Sequence, residues 1–237
     1  MSAERPRRLV LWDVDGTLVS AGPAARDAFD AAIEHVLGRA PGDHGVQMSG
    51  KTDPQIALEI LANLAITRDE ARAHLPTVMR ALERELEDAV EVMRTTGREL
   101  PGARRVLRSL AEEPSVAQTV LSGNLAANAR LKLAAFGLEG FVDWEIGAYG
   151  SDDEDRTKLV PVALSRAQTI RRWRFEPGDA WVVGDTPRDL ECARAGGTRC
   201  LLVATGRFEL DRLTGLGADV VLPDLSDAEA VVRDLLR

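Results

Sequence analysis

The sequence predicts an α/β fold in which a Rossmann-like, doubly wound parallel sheet carries an inserted, all-helical cap domain. Three observations predict it. Residues 9–12 form an apolar run, Leu9-Val10-Leu11-Trp12, that stops at Asp13 and Asp15 and turns at Gly16. From Leu100 onward, short apolar runs alternate with helical stretches, the pattern of a parallel sheet covered on both faces. Between these regions, residues 20–96 carry helical periodicity and loop signals but no strand pattern. The chain therefore divides into a core, residues 1–19 and 97–237, and an insert, residues 20–96.

Taken in order, the first strand sends Asp13 and Asp15 the same way, because strand side chains alternate, and Gly16 marks where the backbone leaves the strand. In an open parallel sheet, ligands sit at the carboxyl ends of strands. Two carboxylates buried there need a cation or hydrogen-bond donors, and a hard metal ion is the simplest such partner. Residues 24–37 then place Ala28, Phe29, Ala32, Ile33, Val36 and Leu37 on one helical face, ended by Gly38. Pro41, Gly42, Gly45 and Gly50 make residues 39–51 an irregular loop. Asp53, as N-cap, and Pro54, at the first helical position, open a helix through Ile56, Ile60 and Leu64. Thr67 and Glu70 form a capping box for a longer helix towards Met93, which Pro76 is expected to kink or divide. Alternating acids and bases over residues 80–91 mark a solvated face.

Beyond Pro101-Gly102 the reading is a helix through Val106 and Leu110, a strand over 117–121 ending at Ser122-Gly123-Asn124, and a helix from Leu125 to Phe136 closed by Gly137. A strand over 144–148, a polar loop through Asp155, a helix over 157–173 and a strand over 180–183 ending in Gly184-Asp185 follow. A helix over 187–195, a strand over 199–203, a helix near 209–215, a strand over 219–222 and a helix from Ser226 complete the series.

Composition sets outer limits. At 237 residues, 45% hydrophobic and 29% charged, the chain can bury one large core plus a smaller inserted one, and with 4% aromatics that core is built from Leu, Val and Ala. Runs such as Ala180-Trp181-Val182-Val183 fall far short of the roughly 18 apolar residues of a membrane span, so no membrane partner is expected. Met1 to Arg8 leads directly into the first strand, and Cys192 and Cys200 make neither a Cys-x-x-Cys pair nor a disulfide framework; a cytoplasmic location is expected. A formal charge of −8 argues against nucleic acid as partner. The three histidines, His35, His44 and His74, share no metal-ligand spacing and read as surface or packing residues. Trp12 reads as a core side chain.

Two further constellations stand at strand ends. Ser122 precedes a helix, whose free N–H groups with the hydroxyl make an oxyanion or phosphate receptor. Asp185 and Asp189 follow the apolar run 180–183 in Gly184-Asp185-Thr186-Pro187-Arg188-Asp189, where either acid can also cap the helix. Together, Asp13-Val14-Asp15-Gly16-Thr17, Leu121-Ser122-Gly123-Asn124 and Gly184 to Asp189 resemble, in order, the first, second and fourth motifs of the haloacid dehalogenase superfamily, over nearly the whole chain.

That resemblance implies an enzyme with Asp13 as nucleophile and Asp15 as acid and base. It also implies Mg²⁺ held by Asp13, Asp185, Asp189 and Asp15, the last through its backbone carbonyl, and a phosphoryl group bound at Ser122, Gly123 and Asn124. Thr17 is expected to brace the turn and to belong to the substrate-binding set. The third motif departs from the family pattern. Residues 151–158 lack its usual Lys-Pro-x-Pro, and either Arg156 or Lys158 supplies the cation, Arg156 being favoured because it binds bidentately and is always charged. Asp15 separates the branches: a halide leaving group needs no proton, so an acid there favours a phosphatase acting on a small phosphorylated metabolite. A phosphomutase, a phosphonatase and a non-catalytic phosphometabolite-binding protein are the alternatives. The insert is expected to act as a mobile cap, with Gly50-Lys51-Thr52-Asp53 reaching the site and Lys51 contacting the leaving group. A monomer or homodimer is expected.

Overall fold

The computed structural model describes residues 7–237. In chain order these form β1 (Arg8–Trp12), β2 (Val19–Ser20), α1 (Ala24–Leu37), α2 (Asp53–Asn63), α3 (Arg68–Asp88), α4 (Val90–Thr96) and β3 (Arg98–Glu99). They continue with α5 (Ala103–Ala111), β4 (Val116–Ser122), α6 (Ala126–Ala135), β5 (Ala148–Tyr149), α7 (Leu159–Arg171), β6 (Ala180–Gly184), α8 (Pro187–Gly196), β7 (Arg199–Val203), α9 (Leu210–Thr214), β8 (Val220–Leu222) and α10 (Ala228–Leu236).

Six strands make one parallel sheet in the order β5-β4-β1-β6-β7-β8, with Leu11 of β1 level with Thr119 on one side and Val182 on the other. Alternation along β1 divides the core. Val10 and Trp12 pack with residues of α5, α6 and α10, whereas Leu9 and Leu11 pack with residues of α7, α8 and α9. The sheet is thus doubly wound, and its centre, β1 flanked by β4 and β6, carries the three motif loops at one end. Trp12 is fully buried, as expected, and its Nε1 donates to Gln118 Oε1 at 3.2 Å. Both cysteines are buried and unpaired.

Helices α1 to α4 form the insert, packed around Phe29, Ile33, Ile60, Leu61, Leu82, Leu86 and Met93. The chain enters and leaves this body through an antiparallel pair, Val19 opposite Glu99 and Ser20 opposite Arg98. This ribbon lies across the boundary read from the sequence and is too short to show there as a strand.

Four local readings need correction. Pro76 does not interrupt α3, which runs unbroken over Arg68–Asp88; Pro76 is on the exposed side of the helix, where a lost hydrogen bond is cheapest, and the break falls instead at Ala89. The N-cap of α2 is Thr52, whose Oγ1 accepts from Gln55 N, and Asp53 is the first helical residue. Trp144–Ile146 is a 3-10 turn rather than a strand, because the Asp143 carboxylate accepts from Glu145 N at 3.1 Å and closes an Asx turn. Residues 156–158 likewise form a 3-10 turn capped by Asp155. His44 is a buried packing residue of the insert, its Nδ1 accepting from Val46 N, and His35 is exposed.

Candidate active site

The ladder of β1 continues one residue beyond the strand, with Asp13 N donating to Val183 O at 2.8 Å, which fixes Asp13 at the centre of the sheet's end. The chain then turns tightly: the Val14 carbonyl accepts from the N–H groups of Leu18 and Val19, and Gly16 takes φ +85°. A Cβ on Gly16 would stand 2.5 Å from Asp185 Oδ2, and one on Gly206, in the loop after β7, 1.7 Å from the same atom. Two backbones devoid of side chains therefore cradle Asp185.

Asp13, Asp185 and Asp189 are all buried, each with an oxygen within 4.8 Å of the others. Burial pushes the Asp13 carboxyl up to about 6, against the pull of Arg156 and with Asp189 and Asp15 adding to the rise. Asp185 is pushed well above the usual carboxylate range by burial first, then by the Asp189 and Asp13 charges. Arg156 is the buried cation of this cluster. Its Nη2 forms an ion pair with Asp13 Oδ1 at 2.9 Å and donates to Asp189 Oδ1, and its Nε is buried with no partner among the described residues. Three carboxylates against one guanidinium leave an excess of negative charge in a desolvated site. The donor set, all hard oxygens around the Gly16 and Gly206 cradle, fits a divalent cation such as Mg²⁺.

Within this set the acids differ. Asp189 Oδ2 accepts from Thr186 N and Oγ1 at 2.9 and 2.7 Å, closing the capping box of α8, while Oδ1 is taken by Arg156. Asp189 therefore orients Arg156 and caps a helix, and it does not line the cavity. Lys158 is elsewhere. Its ammonium is exposed and pairs with Asp153 at 3.2 Å, so the structure brings Arg156, and not Lys158, to Asp13. Thr17 is fully buried beneath the turn, with Oγ1 3.4 Å from Asp185 Oδ1; it braces Asp185 and does not face the cavity.

Ser122 ends β4 and is fully buried, its Oγ accepting from Asn124 N at 3.3 Å and Asn124 Nδ2 at 2.8 Å. Both bonds come in, so the hydroxyl proton remains to donate. The helix N-terminus behind it is less open than its sequence suggests: Leu125 N is bound by Asp53 Oδ2 at 2.8 Å and Ala126 N by Ser151 Oγ at 3.3 Å. Asp53 thus reaches from the insert to cap a core helix, and its carboxyl rises to about 6 chiefly through burial, with Lys132 opposing. Gly123 lies directly under the same segment, its carbonyl accepting from Asp53 N at 2.7 Å and its Cβ position only 2.0 Å from Lys51 O.

Further contacts hold the insert over the site, including Thr52 Oγ1 to Glu154 O at 2.8 Å and an Arg207–Gln47 hydrogen bond. Between insert and core lies a partly open cavity of about 210 Å³. Its floor is Asp13, Asp15, Ser122, Gly123, Asn124, Arg156 and Asp185, and its roof includes Ala25, Phe29, Met48, Lys51 and Ile56. Lys51 is there, but its ammonium is paired with Glu59. Three core residues at the cavity were not anticipated: Gly206, Arg207 and Lys132 of α6, and the Lys132 Nζ lies 2.6 Å from Asp15 Oδ2. The signal for Lys132 was the i, i+4, i+8 spacing Asn124, Asn128, Lys132, a polar line down an otherwise apolar face.

A parallel α/β sheet with acids after β1 and β6, a serine and asparagine after β4 and a helical insert roofing them defines a doubly wound α/β class with a helical cap. Residues 10–194 match the family model described as haloacid dehalogenase-like hydrolase, and the chain belongs to that family. By fold it is similar to a hydrolase from Pseudomonas syringae (18% identity, TM-score 0.68, covering 98% of this chain and 99% of that one). It is also similar to CbbY from Rhodobacter sphaeroides in complex with phosphate (19%, 0.67, 93% and 95%). A third likeness is to a predicted phosphoglycolate phosphatase from Haemophilus somnus (17%, 0.66, 96% and 98%). No curated protein matches in sequence. Among the described residues, no helix is long and apolar enough to cross a membrane.

Proposed function

We propose that the protein is a phosphatase that hydrolyses a small phosphate monoester through an aspartyl-phosphate on Asp13. The observation that carries this reading is the pairing of two differently placed carboxylates. Asp13 is buried against Arg156, whereas the Asp15 side chain is 40% exposed and held at the cavity by Asn124 and Lys132. A buried, ion-paired carboxylate suits a nucleophile, and a carboxyl reached from the cavity suits an acid and base.

In the first step Asp13 attacks phosphorus, the ester P–O bond breaks, and Asp15 gives its proton to the leaving oxygen. In the second, Asp15 takes a proton from water, whose oxygen attacks phosphorus and releases Asp13 with inorganic phosphate. Arg156 balances the Asp13 charge and offers its unpartnered Nε, and the Ser122 hydroxyl donates to the transferred group. Asp13 and Asp185, with the backbone carbonyl of Asp15, would hold Mg²⁺, which when bound neutralises charge on the phosphoryl oxygens. The roof covers part of the site, and a cavity of about 210 Å³ suits an ester of a few carbons.

The deciding assay is inorganic phosphate release from a panel of small phosphate esters with Mg²⁺ and with EDTA. Release with Mg²⁺ and loss with EDTA support the reading. Turnover of a sugar phosphate without phosphate release would favour a mutase, and activity that persists in EDTA would contradict the metal assignment. A phosphonatase draws no support from the cap lysine, because Lys51 is committed to Glu59.

A further inference from the structure

We propose that Lys132 is a positioning residue for Asp15, fixing its carboxyl in the orientation from which it protonates the leaving oxygen; this rests on the phosphatase reading above. Lys132 is in the last turn of α6 with its side chain only 6% exposed. A buried ammonium needs partners, and its two are Asp15 Oδ2 at 2.6 Å and Asn124 Oδ1 at 2.7 Å. Asn124 Nδ2 donates to the same Asp15 oxygen at 2.7 Å while reaching Ser122 Oγ.

The result is one-sided. Asp15 Oδ2 accepts two bonds, and among the described residues Oδ1 accepts none. A carboxyl turns about a soft, roughly two-fold torsion, and a side chain as exposed as Asp15 is not held by packing. Two donors on one oxygen set its plane and leave the other oxygen, the one that carries the transferable proton, toward the cavity. The cations therefore divide the work: Arg156 is committed to Asp13 and Asp189, and Lys132 to Asp15. The Lys132 charge also pulls down the carboxyl of Asp53, the insert residue that accepts from Leu125 N, against the rise that burial causes.

The test is leaving-group dependence. kcat/KM reports the steps through loss of the leaving group, and only poor leaving groups need its protonation. For Lys132→Gln we expect a fall of about 10²-fold on alkyl phosphates, the lower end of what general acid catalysis supplies. Acetyl phosphate, whose leaving group departs without a proton, should change by less than about 3-fold. Lys132→Arg, which keeps a charged donor, should recover much of the loss. In an Asp15→Asn background Lys132→Gln should then cost nothing more. A uniform loss across the series, or additive losses in the double variant, would overturn the proposal. If Lys132→Gln does not fold by thermal melt, Lys132→Met, of similar length and without a charge, carries the same leaving-group comparison. A wild-type protein inactive on every ester would remove the phosphatase reading and this inference together.

Discussion

Replacing Arg156 by Ala removes the one buried cation from a cluster of three buried carboxylates. Its guanidinium is 6% exposed and pairs with both Asp13 and Asp189, and among the described residues no other cation pairs with either acid. Breaking a buried pair of this kind costs about 3–5 kcal/mol, because the surviving acids stay desolvated. For a chain of this size that is a fall of roughly 6–20 °C in melting temperature, at about 2–4 °C per kcal/mol. Activity should fall further, since Arg156 also balances the nucleophile. Lys158→Ala is the control: an exposed pair with Asp153 is worth about 0–1 kcal/mol, and both melting point and turnover should stay near wild type. Differential scanning calorimetry of the metal-free protein, beside kcat/KM on one ester with Mg²⁺, reads both. Equal effects of the two substitutions, or a larger one from Lys158→Ala, would refute the assignment.

Mg²⁺ should raise the melting temperature, by about 2.7 kcal/mol of stability at one hundred times its dissociation constant, and Asp185→Asn should abolish that rise in the same thermal scan. Asp53 should give the protein a pH slope. Its folded pKa of about 6 lies above the ordinary aspartate value of 3.8, so the folded state holds the extra proton. This contribution is present below about pH 4 and lost as pH rises through 6, amounting to about 3 kcal/mol. Asp13 and Asp185, whose carboxyls burial also raises, add declines of the same sign, so urea titrations from pH 4 to 7 should show a summed slope that Asp53→Asn makes shallower without removing it. Gly123→Ala should push the roof away, because the added Cβ would meet Lys51 O at 2.0 Å. We expect a normal melt of the core with a raised KM, and an unchanged KM would disprove the contact.

Much of the site was legible because its acids are local to their motifs. Asp13, Asp15 and Gly16 announce a strand end by spacing alone, and Asp185 follows an apolar run that could only be a buried strand. What was missed depends on partners distant in sequence. The Lys132 bond to Asp15 spans 117 residues, and a lysine on a helix ordinarily reads as a solvated one. Asp53 sits at a helix start, where the local rule makes it a cap for its own helix, yet its carboxylate caps α6 instead. Between Arg156 and Lys158, two residues apart, only the fold decides which one points inward. Trp144 to Ala148 looked like a strand because its apolar residues suit one, but the Asx turn at Asp143 overrode that propensity. Pro76 misled for the opposite reason, its cost being small on an exposed helix face.

The central claim is that phosphoryl transfer passes through Asp13. Acid quench of the enzyme during turnover of a small phosphate ester with Mg²⁺, followed by peptide mass spectrometry, measures it directly. The account predicts the phosphoryl group on the peptide spanning β1 and its turn, attached at Asp13 and missing from Asp13→Asn. A phosphoryl group on any other residue, or full turnover by Asp13→Asn, would contradict it.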